Sequence, residues 1–146
     1  MTKEEIEEIF KKYDIFDQEI LEHGFTKNNR DYNIIVSMPN DESYEFYFVG
    51  CVELNYKNIL PRQDLFLDEI LTEKDVERFW EGNGGRYFWV EFSVLYPGLE
   101  IIDNSSITEK WEKLFNKSFH HIRITTNVFE LEIVFNKIKV IKLKTV

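Results

Sequence analysis

Between residues 44 and 56 the chain reads Tyr-Glu-Phe-Tyr-Phe-Val-Gly-Cys-Val-Glu-Leu-Asn-Tyr, with Tyr44, Phe46, Phe48, Val52, Leu54 and Tyr56 all on even numbers. Successive side chains leave opposite faces of a β-strand, so this alternation gives one wholly apolar face for a core. The run exceeds the usual strand length of about 5–6 residues. Gly50 is therefore expected to mark a bend or bulge within it. The pattern predicts the central strand of an antiparallel sheet, shared between two layers.

Other segments carry their own periods. Residues 2–13 predict a helix: Ile6, Ile9, Phe10 and Tyr13 form an i, i+3, i+4, i+7 stripe, and Thr2 with Glu5 makes a capping box. A less regular strand is expected over 15–25, then a polar turn at Lys27 to Arg30. Tyr32, Ile34, Val36 and Met38 alternate next, and the Pro39 to Glu42 turn leads into the long strand as a meander. Lys57 to Asp68 reads as loop with a short strand at Leu65 to Leu67. Thr72 and Asp75 cap a short helix carrying Val76, Phe79 and Trp80, stopped by Gly82-Asn83-Gly84-Gly85. Phe88 to Tyr96 alternate as a strand, and Pro97-Gly98 signals a type II turn into Leu99 to Ile102. Ser106 with Glu109 predicts a cap for a helix whose Ile107, Trp111, Leu114 and Phe115 share a face. Three closing strands follow, around Ile122 to Ile124, Phe129 to Phe135 and Ile138 to Leu143. In the last, the apolar phase slips between Val140 and Ile141, which predicts a bulge. Lys137, Lys139, Lys142 and Lys144 suit an edge protected from pairing with another molecule.

These elements give an α+β fold: a mainly antiparallel sheet, a meander arranged in two layers, with an N-terminal helix and two short helices packed against it. At 146 residues the chain is expected to form a single domain, 1–146. Thirteen Phe, seven Tyr and three Trp supply a core built from rings. One Cys leaves no internal disulfide, and no run approaches a membrane span. Because Met-Thr-Lys-Glu-Glu lacks the apolar run of a leader, a cytoplasmic location is expected. The net charge of −9 is uneven: residues 1–100 carry 10 Lys and Arg against 22 Asp and Glu, and residues 101–146 carry 8 against 5. Nucleic acid binding requires basic groups facing phosphates, so no nucleic acid partner is expected. A basic protein is the natural complement.

Chemical motifs are sparse. The Gly82 to Gly85 segment lacks the Gly-Lys-Ser/Thr of a phosphate loop. Asp17, Glu19 and His23 share strand parity, so one reading places two carboxylates and an imidazole together as a metal, small-molecule or saccharide site, or as a weak hydrolase. The other leaves them as ordinary exposed side chains, with Leu21 between them. His120 and His121 are strand neighbours pointing to opposite faces and cannot chelate one ion. Cys51 sits among apolar residues, where a thiol is an inert small hydrophobe. No catalytic residue, metal ligand set or cofactor is assigned.

The progression Ile15-Phe16-Asp17-Gln18-Glu19-Ile20, Tyr32 to Val36, and then Tyr44 to Leu54 resembles the YxiG-like group of small bacterial proteins. The likeness covers about residues 14–56 and the closing hairpin. Where the group commonly has His before the Asp, this chain has Phe16. The resemblance implies an immunity-type protein of contact-dependent or polymorphic toxin loci in Gram-positive bacteria, and implies no catalytic residue. With the acidic charge, this gives a non-enzymatic binding protein, an antitoxin that masks a basic toxin domain. Glu45, Tyr47, Glu53 and Trp89 on sheet reverse faces are the candidate contacts. A homodimer formed through Tyr47, Val49 and Trp89 is the structural alternative.

Overall fold

The computed structural model describes residues 1–26, 28–58, 93–126 and 128–143. Helix α1 (Lys3–Lys12) is followed by strands β1 (Glu19–Phe25), β2 (Tyr32–Met38), β3 (Glu42–Val49), β4 (Glu53–Asn58) and β5 (Ser93–Ile102). Helix α2 (Ser106–Phe115) then leads into β6 (His120–Thr126), β7 (Phe129–Phe135) and β8 (Lys137–Leu143). All described pairings are antiparallel, in the order β4-β7-β6-β5-β1-β2-β3-β8. This is the expected α+β fold. The expected short strand at Leu65 to Leu67, the helix around Val76 to Trp80 and the Gly82 to Gly85 stop lie outside the described residues, as does Trp89.

The sheet doubles over on itself, and β5 passes between the halves. Its first residues pair with β1 and the rest with β6, with a register shift between Leu95 and Gly98. Pro97-Gly98 is therefore not the turn its residue types suggest but an irregularity inside one strand, where Gly98 takes φ +101°. A glycine there takes this positive φ, which would strain any L side chain, as the strand changes sheets.

The 44–56 run is likewise shared between layers, but as two strands rather than one central strand. β3 ends at Val49; Gly50 turns with φ +64°, and β4 then pairs with β7 in the other half. The corner is pinned by hydrogen bonds from Gly50 N to Asp31 Oδ1 (3.0 Å), Cys51 N to Arg30 O (2.8 Å) and Val52 N to Val134 O (2.9 Å). Directly opposite, Asn136 joins β7 to β8 and donates its N–H to Val49 O at 2.9 Å.

Between the halves lies one core. Ile34, Val36, Phe46 and Phe48 of one inner face meet Ile122, Ile124, Leu131, Ile133 and Phe135 of the other. Phe48 and Phe135 touch across the layers as a T-shaped pair, centroids 5.1 Å apart. α1 closes an end of this core: Ile6 is fully buried, Phe10 stacks on Phe46, and Tyr13 meets Tyr44 and Phe46. Its capping box forms as expected, Glu5 N donating to Thr2 Oγ1 and Thr2 N to Glu5 Oε1.

Three local expectations need correction. β1 starts at Glu19 rather than near residue 15, because Asp17 adopts φ +62° at the preceding corner. The cap of α2 is Ser105, not Ser106: Ser105 Oγ accepts from Thr108 N, with Asn116 closing the other end in the left-handed region. β8 runs in unbroken register against β3, so no bulge separates Val140 from Ile141. Ile141 simply faces outward at 37% exposure, and Lys142 reaches Glu42 at 2.9 Å.

Candidate functional site

The outer face of the β4-β7-β6-β5 half is built from aligned cross-strand rows. Ile102, His121, Val134 and Glu53 form one; Glu100, Arg123, Glu132 and Asn55 the next; Gly98, Thr125, Glu130 and Lys57 the third. Their alternation with the inward Ile122, Ile124, Leu131 and Ile133 is what the strand period dictates. Arg123 ties the second row to the third. Its guanidinium lies 3.1 Å from Glu100, 3.3 Å from Glu130 and 3.3 Å from Glu132. One cation thus serves three carboxylates.

α2 rests over the first row although none of its own residues is buried. Polar contacts hold it. Lys110 Nζ lies 2.7 Å from Glu53 Oε1, and Trp111 Nε1 donates to the same oxygen at 3.0 Å. The Lys110 ammonium, helped by the indole N–H, holds the Glu53 carboxyl below the usual carboxylate range. At the helix start, Ser105 Oγ lies 2.7 Å from His121 Nδ1, and on the far side of the ring Nε2 lies 3.2 Å from Glu132 Oε1. Because a carboxylate faces Nε2, the favoured neutral tautomer carries its proton there, with the Ser105 hydroxyl donating to Nδ1. His121 is 6% exposed, yet Nε2 makes no aligned hydrogen bond, since Glu132 sits off the line of the ring N–H. Beside α2 opens a cleft of about 470 Å³, walled by Val52, Glu53, Leu54, Asn55, Ile107, His121, Glu132 and Val134.

A Ser, a His and a Glu in sequence invite comparison with a nucleophilic triad, but the geometry argues against it. Ser105 is buried and accepts the Thr108 N–H as a helix cap. Such an oxygen clips α2 to β6; it is not presented to a substrate.

Of the residues singled out from sequence, Glu53 stands at the mouth of this cleft. Glu45 and Tyr47 lie on the outer face of the other half, where Asn33 Nδ2 donates to Glu45 Oε2 at 2.9 Å and Tyr47 bonds Glu45. The structure does not bring them to Glu53. Nor does it join Asp17, Glu19 and His23. A register shift between Ile20 and Glu22 sets His23 opposite inward Ile34, while Glu19 keeps the phase opposite to buried Ile20. Among the described residues no three such side chains converge as metal ligands. His23 instead enters a ring cluster: its Nδ1 lies 2.5 Å from the Tyr32 hydroxyl, and its ring packs on Phe129 and Tyr56. Burial lowers the His23 pKa and pushes Tyr32 up to about 12. His120 and His121 do point oppositely, His120 toward Phe135 and Met1 O, His121 toward Ser105.

Ser105, Arg123 and Glu132 escaped the sequence reading as site residues, and His121 entered it only as a strand neighbour of His120. Their polar parity was visible; their partnership needed strand register.

The family model for YxiG-like proteins matches residues 2–145, nearly the full length. The chain belongs to the YxiG-like family. A search of curated proteins finds no match. In this YxiG-like protein the family match spans both halves of the sheet and α2, so the cleft is built wholly from residues within it. No helix among its described residues is long and apolar enough to cross a membrane.

Proposed function

We propose that this YxiG-like protein is a non-enzymatic cytoplasmic binding protein, an immunity or antitoxin protein that masks a basic toxin domain. The observation that carries this reading is Glu53, a carboxylate held by Lys110 and Trp111 at the mouth of an open cleft. A charge fixed in advance loses little freedom on meeting a partner, and an indole beside it supplies the aromatic area in which interfaces concentrate energy. Support also comes from the acidic charge of −9, which steers a basic partner toward the surface. Glu45 and Tyr47 offer a second, independent face.

Coexpression with the product of the neighbouring gene tests it. A stable complex is expected, with loss of toxicity in cells and association that slows as salt is raised. Glu53→Lys is expected to weaken the complex by about tenfold or more, the cost of one charged contact at an interface. A neighbour that is not toxic and does not bind removes the reading.

A second reading rests on the ring cluster of His23, Tyr32, Tyr56 and Phe129, with half-exposed Phe25 packed edge-on against Tyr32. With Tyr32 and Phe129 buried behind them, the part-exposed rings of Phe25 and Tyr56 at the edge of this cluster suit a saccharide or other small apolar-faced ligand. A thermal-shift response to sugars that His23→Ala abolishes supports it; none across a sugar panel counts against it.

A further inference from the structure

We infer that the α2 cleft is a receptor for one basic side chain of a partner protein, an arginine or lysine seated between Glu53 and Glu132, with His121 as the buried positioning residue behind Glu132. The inference deepens the masking reading and rests on it for the source of that side chain. Three features carry it.

The first is charge. Among the described residues Arg123 is the cation paired with Glu100, Glu130 and Glu132, and Lys57 stands across from Glu130, so with Glu53 and Lys110 these groups keep an excess of one negative charge. Lys110 matches only Glu53, from the rim, where it is 61% exposed. The second is shape. Glu53 and Glu132 are diagonal neighbours across β4 and β7, a spacing of roughly 7–8 Å between side-chain roots. A cationic head fits between such carboxylates, and its aliphatic stem can lie along Val52, Ile107 and Val134.

The third feature is His121 itself. A ring more than nine-tenths buried, fixed through Nδ1 by Ser105, keeps an Nε2 without an aligned partner beneath the Glu132 carboxylate. A buried polar atom left in this state costs free energy, and its cheapest remedy is a small turn of Glu132 onto the ring N–H. That turn draws Oε1, the oxygen that Arg123 also holds at 3.3 Å, off the guanidinium, while Oε2, which no described residue contacts, is left for a ligand. An arriving cation replaces the lost Arg123 contact, so seating the ligand and satisfying His121 are one event.

The test uses N-acetyl-arginine methylamide, with N-acetyl-citrulline methylamide as its uncharged isostere, followed by NMR at the Glu53 and Glu132 side chains and the His121 ring. The arginine probe is expected to saturate shifts at all three. The citrulline probe, Glu132→Gln and Glu53→Gln are each expected to weaken binding by about tenfold or more. His121→Gln, which returns an N–H donor near the Nε2 position, is expected to retain binding that His121→Phe loses. Equal binding of the two probes, or an arginine response indifferent to Glu132→Gln, overturns the inference. Spermidine binding tighter than the arginine probe overturns a protein side chain as the source. These outcomes are read without the partner, so they are separable from the masking reading, which stands or falls on the coexpressed complex.

Discussion

Single residues set local limits that solution measurements can reach. At Gly50 the backbone sits at φ +64°, and an added Cβ would lie 3.2 Å from Asn136 Cβ. Left-handed backbone costs a non-glycine residue about 1–2 kcal/mol, so Gly50→Ala is expected to lower the urea midpoint by that equivalent with an unchanged slope. Cys51 and Tyr32 predict an alkaline limit. Burial pushes the Cys51 thiol from 9.0 up to about 12 and the Tyr32 phenol from 10.0 to about 12. Both groups hold their protons more tightly folded than unfolded, so their stabilisation is complete below pH 9 and is lost as pH rises toward 12. Unfolding free energy is expected to fall across that window, and Cys51→Ala to flatten the fall. His23 acts on the opposite side: burial lowers its pKa, so its contribution is present above 6.5 and is lost on acidification. That His23 is half-buried among rings was not legible in sequence, because the register shift after Ile20 reverses the parity a regular strand would give it.

At the scale of elements, α2 is the informative case. Its apolar stripe was readable, but none of its residues is buried, and polar clips fasten it to the sheet. Which serine caps it follows from the chain path into the helix and not from residue type, since Ser105 and Ser106 are both competent. Ser105→Ala is expected to cost about 1–2 kcal/mol, losing the cap and leaving His121 Nδ1 unpaired, whereas Ser106→Ala stays within about 0.5 kcal/mol. Amide exchange in α2 checks this: protection is expected to collapse only in the Ser105 variant. In β8 the apolar slip at Ile141 misled because a half-exposed isoleucine is ordinary, and the register with β3 runs on without a break.

Across the whole molecule, stability comes from closing one half-sheet over the other. Phe135 is fully buried and meets Phe48 across the layers. Phe135→Ala is expected to cost about 3–5 kcal/mol, and a double-mutant cycle with Phe48→Ala to show coupling of about 0.5–1.5 kcal/mol. A single unfolding transition should persist in denaturant, since both halves share one core. The sequence alone determined which described segments are extended, the N-terminal helix with its capping box, the inward rings and the outward charges, because period, caps and turn residues act over a few positions. Only the tertiary structure decided that β5 passes between the halves, that His121 meets Ser105 and Glu132, and that Glu53 faces a cleft while Glu45 and Tyr47 face away from it. Those relations join residues far apart in the chain through strand order and register, which the burial of the whole core fixes and no local pattern encodes.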